Sequence, residues 1–354
     1  MQEVWGSLAA CQGIRVMPSN SSNSILRTAA GVLLGLTTVL LSVVQAYAQS
    51  PKTKMVVPYG KGGGSDQLSR AMAKSVEQIS QTRFDIVNIK KGAGLGAIPN
   101  FMALPANGYN VIEHIDDIAA AYAIGATNVH PARDWEPLAI VQLAFSQLFI
   151  KADDTRFSDW RSFIAYAKAN PKKVVVANVS YDGSMENITM RKLEAELGFE
   201  TRQVSFDNIK DRYEAVFLGR ADALFEQPGD VRSYLDSGRL KPVLTFFNER
   251  PSAFANVPTH KEVGAKFEPL LRFRGFFVKK GTPPQRLTYL QNLFSAAYKT
   301  PSFQKFNESK YMTIIDPFRD PQSSKQLINQ TIKSYSKSYQ DFLAQTLNEY
   351  FKRQ

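Results

Sequence analysis

One pattern constrains the fold of this chain more than any other. A short apolar strand runs into a turn of small and polar residues and then into an amphipathic helix, and this happens twice. In the first copy Lys54–Pro58 is the strand, a glycine-rich turn follows at once, and a helix starts near Ser65. Leu68, Met72, Val76 and Ile79 recur at helical spacing, which gives that helix one face to bury. Phe84–Ile89 reads as the next strand, so the unit is β-α-β with parallel pairing. In the second copy Val174–Ala177 is the strand, Asn178–Gly183 the turn, Ser184–Leu197 the helix and Thr201–Ser205 the following strand.

The segments around these units follow the same grammar. Val111–Ile115 is strand-like, Leu138–Ile150 is a long apolar stretch, and Ser158-Asp159 introduces a helix over Phe157–Ala169. Asp211–Leu218 is helical, while Ala221–Phe225, Pro242–Phe247 and Arg272–Val278 are strands. Gly281-Thr282-Pro283-Pro284 starts another helix with proline in its first turn. In the last helix Asp320 caps, Pro321 takes the first position, and Leu327, Ile328, Ile332, Tyr335, Tyr339 and Phe342 form the apolar face. Alternation without a long linker predicts an α/β fold in two lobes, each a mostly parallel sheet flanked by helices, with the chain crossing between lobes more than once. Residues 52–150 plus 272–354 are expected to form lobe 1, and residues 151–271 lobe 2.

Ahead of the first strand stands an export signal. Arg27 supplies a positive flank, Thr28–Val44 is apolar, and Ala46-Tyr47-Ala48 is a small-x-small cleavage pattern before Gln49. Residues 1–48 therefore read as a signal peptide, with Met17 as an alternative start, cleavage after about Ala48 and a periplasmic mature chain. The run is short for a membrane span of about 20 residues. Cys11, the one cysteine, falls on the removed side, so no disulfide or thiol is expected after cleavage. A chain this long buries enough apolar surface without such staples. Losing Glu3, Arg15 and Arg27 with the leader lowers the formal charge of +11 by one. The remaining basic residues are scattered and form no stripe, so no nucleic-acid partner is expected.

The turn Val57-Pro58-Tyr59-Gly60-Lys61-Gly62-Gly63-Gly64-Ser65-Asp66 is the most informative stretch. Consecutive glycines bring a ligand close to bare N–H groups. Ser65 is placed to cap the helix, whose first-turn N–H groups carry partial positive charge and suit an anion. The lysine precedes the glycines, which is the wrong order for a nucleotide phosphate loop, and a carboxylate fits better. Gly92-Ala93-Gly94-Leu95-Gly96-Ala97 mimics a dinucleotide fingerprint, but it follows the second strand, so it is expected to shape the mouth of the same cleft. Asn178-Val179-Ser180-Tyr181-Asp182-Gly183-Ser184 is the twin turn, and together the two turns are expected to grip one carboxylate from opposite lobes. His114, His130 and His260 have no metal-ligand spacing, and no Gly-x-Ser-x-Gly elbow appears. No enzyme activity, no metal and no cofactor are expected.

From Lys54 to Phe342 the chain resembles the Bug family, the extracytoplasmic solute receptors of tripartite tricarboxylate transporters. The resemblance is carried by Pro58-Tyr59, Gly62-Gly63-Gly64-Ser65-Asp66, Gly92-Ala93-Gly94, Asn107-Gly108-Tyr109 and Asp134-Trp135-Glu136-Pro137. It continues through Ala167-Lys168-Ala169-Asn170-Pro171, Gly183-Ser184, Gly219-Arg220-Ala221-Asp222, Val257-Pro258-Thr259 and Gly281-Thr282-Pro283-Pro284. It implies a Venus-flytrap fold that captures a small organic acid and delivers it to membrane transporter subunits, or docks the loaded receptor on a membrane sensor. A monomer is the expectation.

The resemblance also implies site residues. Tyr59, Gly63, Gly64, Ser65 and Asp66 would hold a carboxylate from the first lobe, and Ser180, Gly183 and Ser184 from the second. Lys61 stands where the family often has proline and adds a cation for a second acidic group. Met185, Glu186 and Asn187 replace a small residue, proline and histidine, which makes Asn187 a contact candidate and requires Glu186 to point outward. Phe206 opens the Phe206-Asp207-Asn208-Ile209 loop, which departs from the family's Tyr-Lys-Gly-Gly type. Arg274, where an aromatic residue is common, offers a bidentate partner for a distal carboxylate.

Overall fold

A computed structural model describes residues 52–352, except 93, 180–182 and 207. The expected signal peptide and Ser180 lie outside the described residues. The strands are β1 (Thr53–Val57), β2 (Phe84–Asn88), β3 (Asn110–Ile115), β4 (Trp135–Ala144), β5 (Ser146–Lys151), β6 (Val175–Val179), β7 (Arg202–Phe206), β8 (Ala223–Glu226), β9 (Leu240–Phe246) and β10 (Arg272–Lys279). They form two five-stranded sheets, in the orders β2-β1-β3-β10-β4 and β7-β6-β8-β5-β9. Each sheet contains one strand that runs against its neighbours, β10 in the first and β5 in the second.

That reversed strand marks where the chain changes sheets. Leu138–Ile150, read as one stretch, is two strands in two different sheets with Phe145 between them. The sheet boundary thus falls at Phe145 and not after Ile150 as expected. Both strands are apolar and buried, so hydrophobicity gives no sign of the break. The chain returns between β9 and β10, and β10 then pairs with β3 and β4.

The helix α1 (Gly64–Ile79) buries Leu68, Met72 and Val76 completely. Ile79, expected on the same face, closes the helix and is 44% exposed. Ser65 does not cap α1: Gly63 is the N-cap, in extended conformation, with no side-chain hydrogen bond. The helix α5 (Met185–Leu197) is capped as a serine should cap it, with Ser184 Oγ accepting from the Asn187 N–H at 3.3 Å. Short helices α2 (Ala97–Met102) and α3 (Asp117–Ala123) follow β2 and β3, α4 (Trp160–Ala169) precedes β6, and α6 (Ile209–Phe217) follows β7.

After α7 (Arg232–Asp236) come α8 (Pro284–Tyr298), α9 (Pro301–Ser309) and α10 (Pro321–Lys352). Asp320 accepts from the Ser323 N–H at 2.9 Å, which places the cap of α10 where the sequence puts it. Along α10, Ile328 enters the core of the first sheet and Tyr335 enters that of the second, so one helix belongs to both cores. A bridge between Ile140 and Arg319 covers the outer edge of β4, which would otherwise present unpaired backbone groups.

Candidate functional site

Between the sheets lies a narrow cleft lined by residues of both. From the first sheet its wall is built by Tyr59, Gly60, Gly63, Gly64 and Ser65. Gly62 adopts φ +84°, which only glycine takes without strain, and so turns the chain from β1 into α1. Asp66 braces this turn: it accepts from the Gly62 N–H at 2.9 Å, from Asn88 Nδ2 at 3.1 Å and from Arg70 Nε at 3.0 Å. Burial opposes its charge, but the hydrogen bonds from Arg70, Gly62 and Asn88 prevail and lower its pKa. The Tyr59 ring packs on Gly94, where an added Cβ would stand 2.9 Å from it, and its hydroxyl donates to Asp117 at 3.0 Å.

The opposite wall consists of Val179, Glu186, Phe206, Ile209, Arg212, Glu226, Gln227 and Asp230. The two walls touch. A Cβ on Gly63 would meet Ile209 Cδ1 at 3.6 Å, and one on Gly64 would meet Arg274 Nη2 and Asp230 Oδ1 at 2.6 Å.

Three arginines reach the cleft, and each already holds protein carboxylates. Arg272 Nη1 lies 3.2 Å from both Asp116 and Asp117, while its Nη2 meets Glu186 of the opposite wall at 2.5 Å. Arg274 pairs across the cleft with Asp230 and donates to Gln142 at 3.1 Å. Arg212 pairs with Glu226, which also accepts from the Tyr213 hydroxyl at 2.9 Å. Behind Ser65 and Arg274 sits Glu113, fully buried; burial pushes its carboxyl up to about 8 against the pull of Arg274. Burial likewise lifts Asp116 to about 7, with Arg272 pulling it down and Asp117 pushing it further up. Among the described residues no group of three or more His, Cys, Asp or Glu is placed to hold a metal ion.

Of the residues singled out from sequence, Tyr59, Gly63, Gly64, Ser65, Phe206 and Arg274 line this cleft together. Lys61 is exposed and outside it. Asp66 is turned back into its own turn. Gly183 and Ser184 are buried at the start of α5 and are not part of the lining, and Asn187 is held within the second lobe by Gln203 and Arg191. Glu186 reverses the expectation. It points into the cleft, because Arg272 supplies the counter-charge that makes an inward carboxylate tolerable. Sequence reasoning passed over Arg272, although it stands two residues from Arg274 on one strand and so faces the same way. Arg212, Glu226 and Asp230 carried no comparable local signal.

Two α/β sheets of matching strand order, with a polar cleft between them, make the two-lobed fold of periplasmic binding proteins. The family model described as "Tripartite tricarboxylate transporter family receptor" matches residues 67–341, and the chain belongs to that family. The chain is 26% identical over 286 residues to the "UPF0065 protein in gbd 5'region" of Cupriavidus necator, covering 78% of this chain and 85% of that protein. Periplasmic binding protein BugD is similar in fold, with a TM-score of 0.72 at 18% identity, covering 82% of this chain and 97% of that one. MatC from Rhodopseudomonas palustris, solved with bound malate, has a TM-score of 0.71 at 20% identity, covering 81% and 98% respectively.

Proposed function

We propose that this protein captures a small organic acid between its lobes, outside the cytoplasmic membrane, and delivers it to membrane transporter subunits of the tripartite tricarboxylate type. The observation that carries this reading is the start of α1. Gly63, Gly64 and Ser65 present the first turn of a 16-residue helix to the cleft, with no side-chain cap over it. The N–H groups of such a turn have no partner within the helix and carry the positive end of its dipole, so they suit a carboxylate. The malate in the MatC structure supports the ligand class, and the family supports the transporter. Among the described residues no helix is long and apolar enough to cross a membrane.

The two wall-to-wall ion pairs, Arg272–Glu186 and Arg274–Asp230, support a closed arrangement in which a ligand is enclosed. A thermal-shift screen of mono-, di- and tricarboxylates and aromatic acids tests the reading. A ligand at about a hundred times its dissociation constant adds about 2.7 kcal/mol, which for a chain of this size raises Tm by several degrees. Absence of any shift across the whole screen would remove the reading.

A further inference from the structure

The chemistry of the second wall narrows the ligand further. Glu113, Asp116, Asp117, Glu186, Glu226 and Asp230 outnumber the guanidiniums of Arg212, Arg272 and Arg274 by two to one in and immediately behind the cleft. The lining itself carries three carboxylates, Glu186, Glu226 and Asp230, against the same three arginines. No arginine of the cleft therefore stands ready for a second ligand carboxylate without releasing a protein carboxylate first.

Glu186 adds an independent observation. It is fully buried, lines the cleft, and accepts from Arg272 at Oε1, yet its Oε2 has no hydrogen-bond partner among the described residues. A buried carboxylate oxygen without a donor is costly unless a ligand supplies one. An unsubstituted dicarboxylate has no donor to offer there, and the second charge of any dicarboxylate would be repelled. An ammonium offers up to three. Tyr59 and Phe206 line the same space, and aromatic faces favour a cation beside them.

We infer that the ligand is a zwitterion: its carboxylate sits at the Gly63–Gly64 turn, and a cationic nitrogen at its other end is held by Glu186. This rests on the carboxylate reading of the α1 turn proposed above and adds the second charge. Such a ligand sets the protein apart from receptors for acids with two or three carboxylates, because Glu186 in the cleft wall accepts positive charge.

Isothermal titration calorimetry on the purified full chain with length-matched probes tests this. Succinate is compared with 4-aminobutanoate, glutarate with 5-aminopentanoate, and adipate with 6-aminohexanoate. In at least one pair the amino acid is expected to bind tenfold or more tightly than its dicarboxylate partner. Glu186→Gln is expected to erase that preference, since the amide keeps the shape and a contact to Arg272 but loses the charge. Dicarboxylates binding as tightly as, or more tightly than, the amino acids in the unaltered protein would overturn the inference while leaving the carboxylate reading intact. No binding by any member of either series would also overturn the inference, and the wider thermal-shift screen would then decide the carboxylate reading separately.

Discussion

The two lobes share one strand order and one reversed strand, yet the helix starts that face their cleft are built on opposite chemistry. In the first lobe α1 begins on a glycine with no capping side chain, and its acidic residue, Asp66, is turned away to brace the turn. In the second lobe α5 begins on a buried serine cap, and its acidic residue, Glu186, points into the cleft. Repeating a topology repeats where helix ends fall, because parallel strands deliver them to the same edge of the sheet. It does not repeat their charge. One start is uncapped and the other brings a carboxylate into the cleft, so the two walls are not equivalent.

The hardest way to break this contrast is Arg272→Leu. It leaves Asp116, Asp117 and Glu186 buried without their cation, and removing one partner of a buried ion pair typically costs about 3–5 kcal/mol. Urea denaturation of the variant should show a loss of that size; a change below about 1 kcal/mol would mean that the pairing does not hold the lobes together.

The second test uses pH. The carboxyl of Glu113 is raised from 4.5 to about 8 in the folded protein, so the folded state holds a proton there that the unfolded chain releases. Its contribution is complete below 4.5 and is lost as pH rises towards 8, at up to about 1.4 kcal/mol for each pH unit within that window. Tm should therefore fall more steeply from pH 5 to pH 8 in the unaltered protein than in Glu113→Gln, and parallel curves would reject the assignment.

Gly64→Ala probes the first lobe directly. The new methyl group would stand 2.6 Å from Arg274 Nη2 and Asp230 Oδ1, so it should hold the walls apart at an overpacking cost of about 1–3 kcal/mol. The variant is expected to lose ligand-induced stabilisation and to give a larger radius of gyration by small-angle scattering than the ligand-bound parent. The smallest effect sharpens the comparison instead of breaking it. Ser184→Ala removes the cap of α5 and should cost about 1 kcal/mol, whereas Ser65→Ala has no cap to remove from α1.

Much of this architecture is legible in the chain before any coordinates. The βαβ units, the capped α10 and the glycine turn rest on short windows of hydrophobic period and turn chemistry, and the structure places them where those windows do. The errors also have local causes. Gly63, two residues before Ser65, takes the extended conformation of the N-cap itself, so the helix starts at Gly64 and the serine falls inside it. Ile79 keeps the helical period but is the last residue of the helix and is left exposed.

What the sequence determined by itself was the two strand-turn-helix units, the family, and the position of one glycine-rich turn, because each is written in neighbouring residues. Only the tertiary structure decided the character of the other wall. The Arg272–Glu186 pair joins residues 86 apart and the Arg274–Asp230 pair residues 44 apart. Whether a carboxylate points inward depends on the charge that the opposite lobe brings to meet it, and no local pattern around Glu186 carries that information.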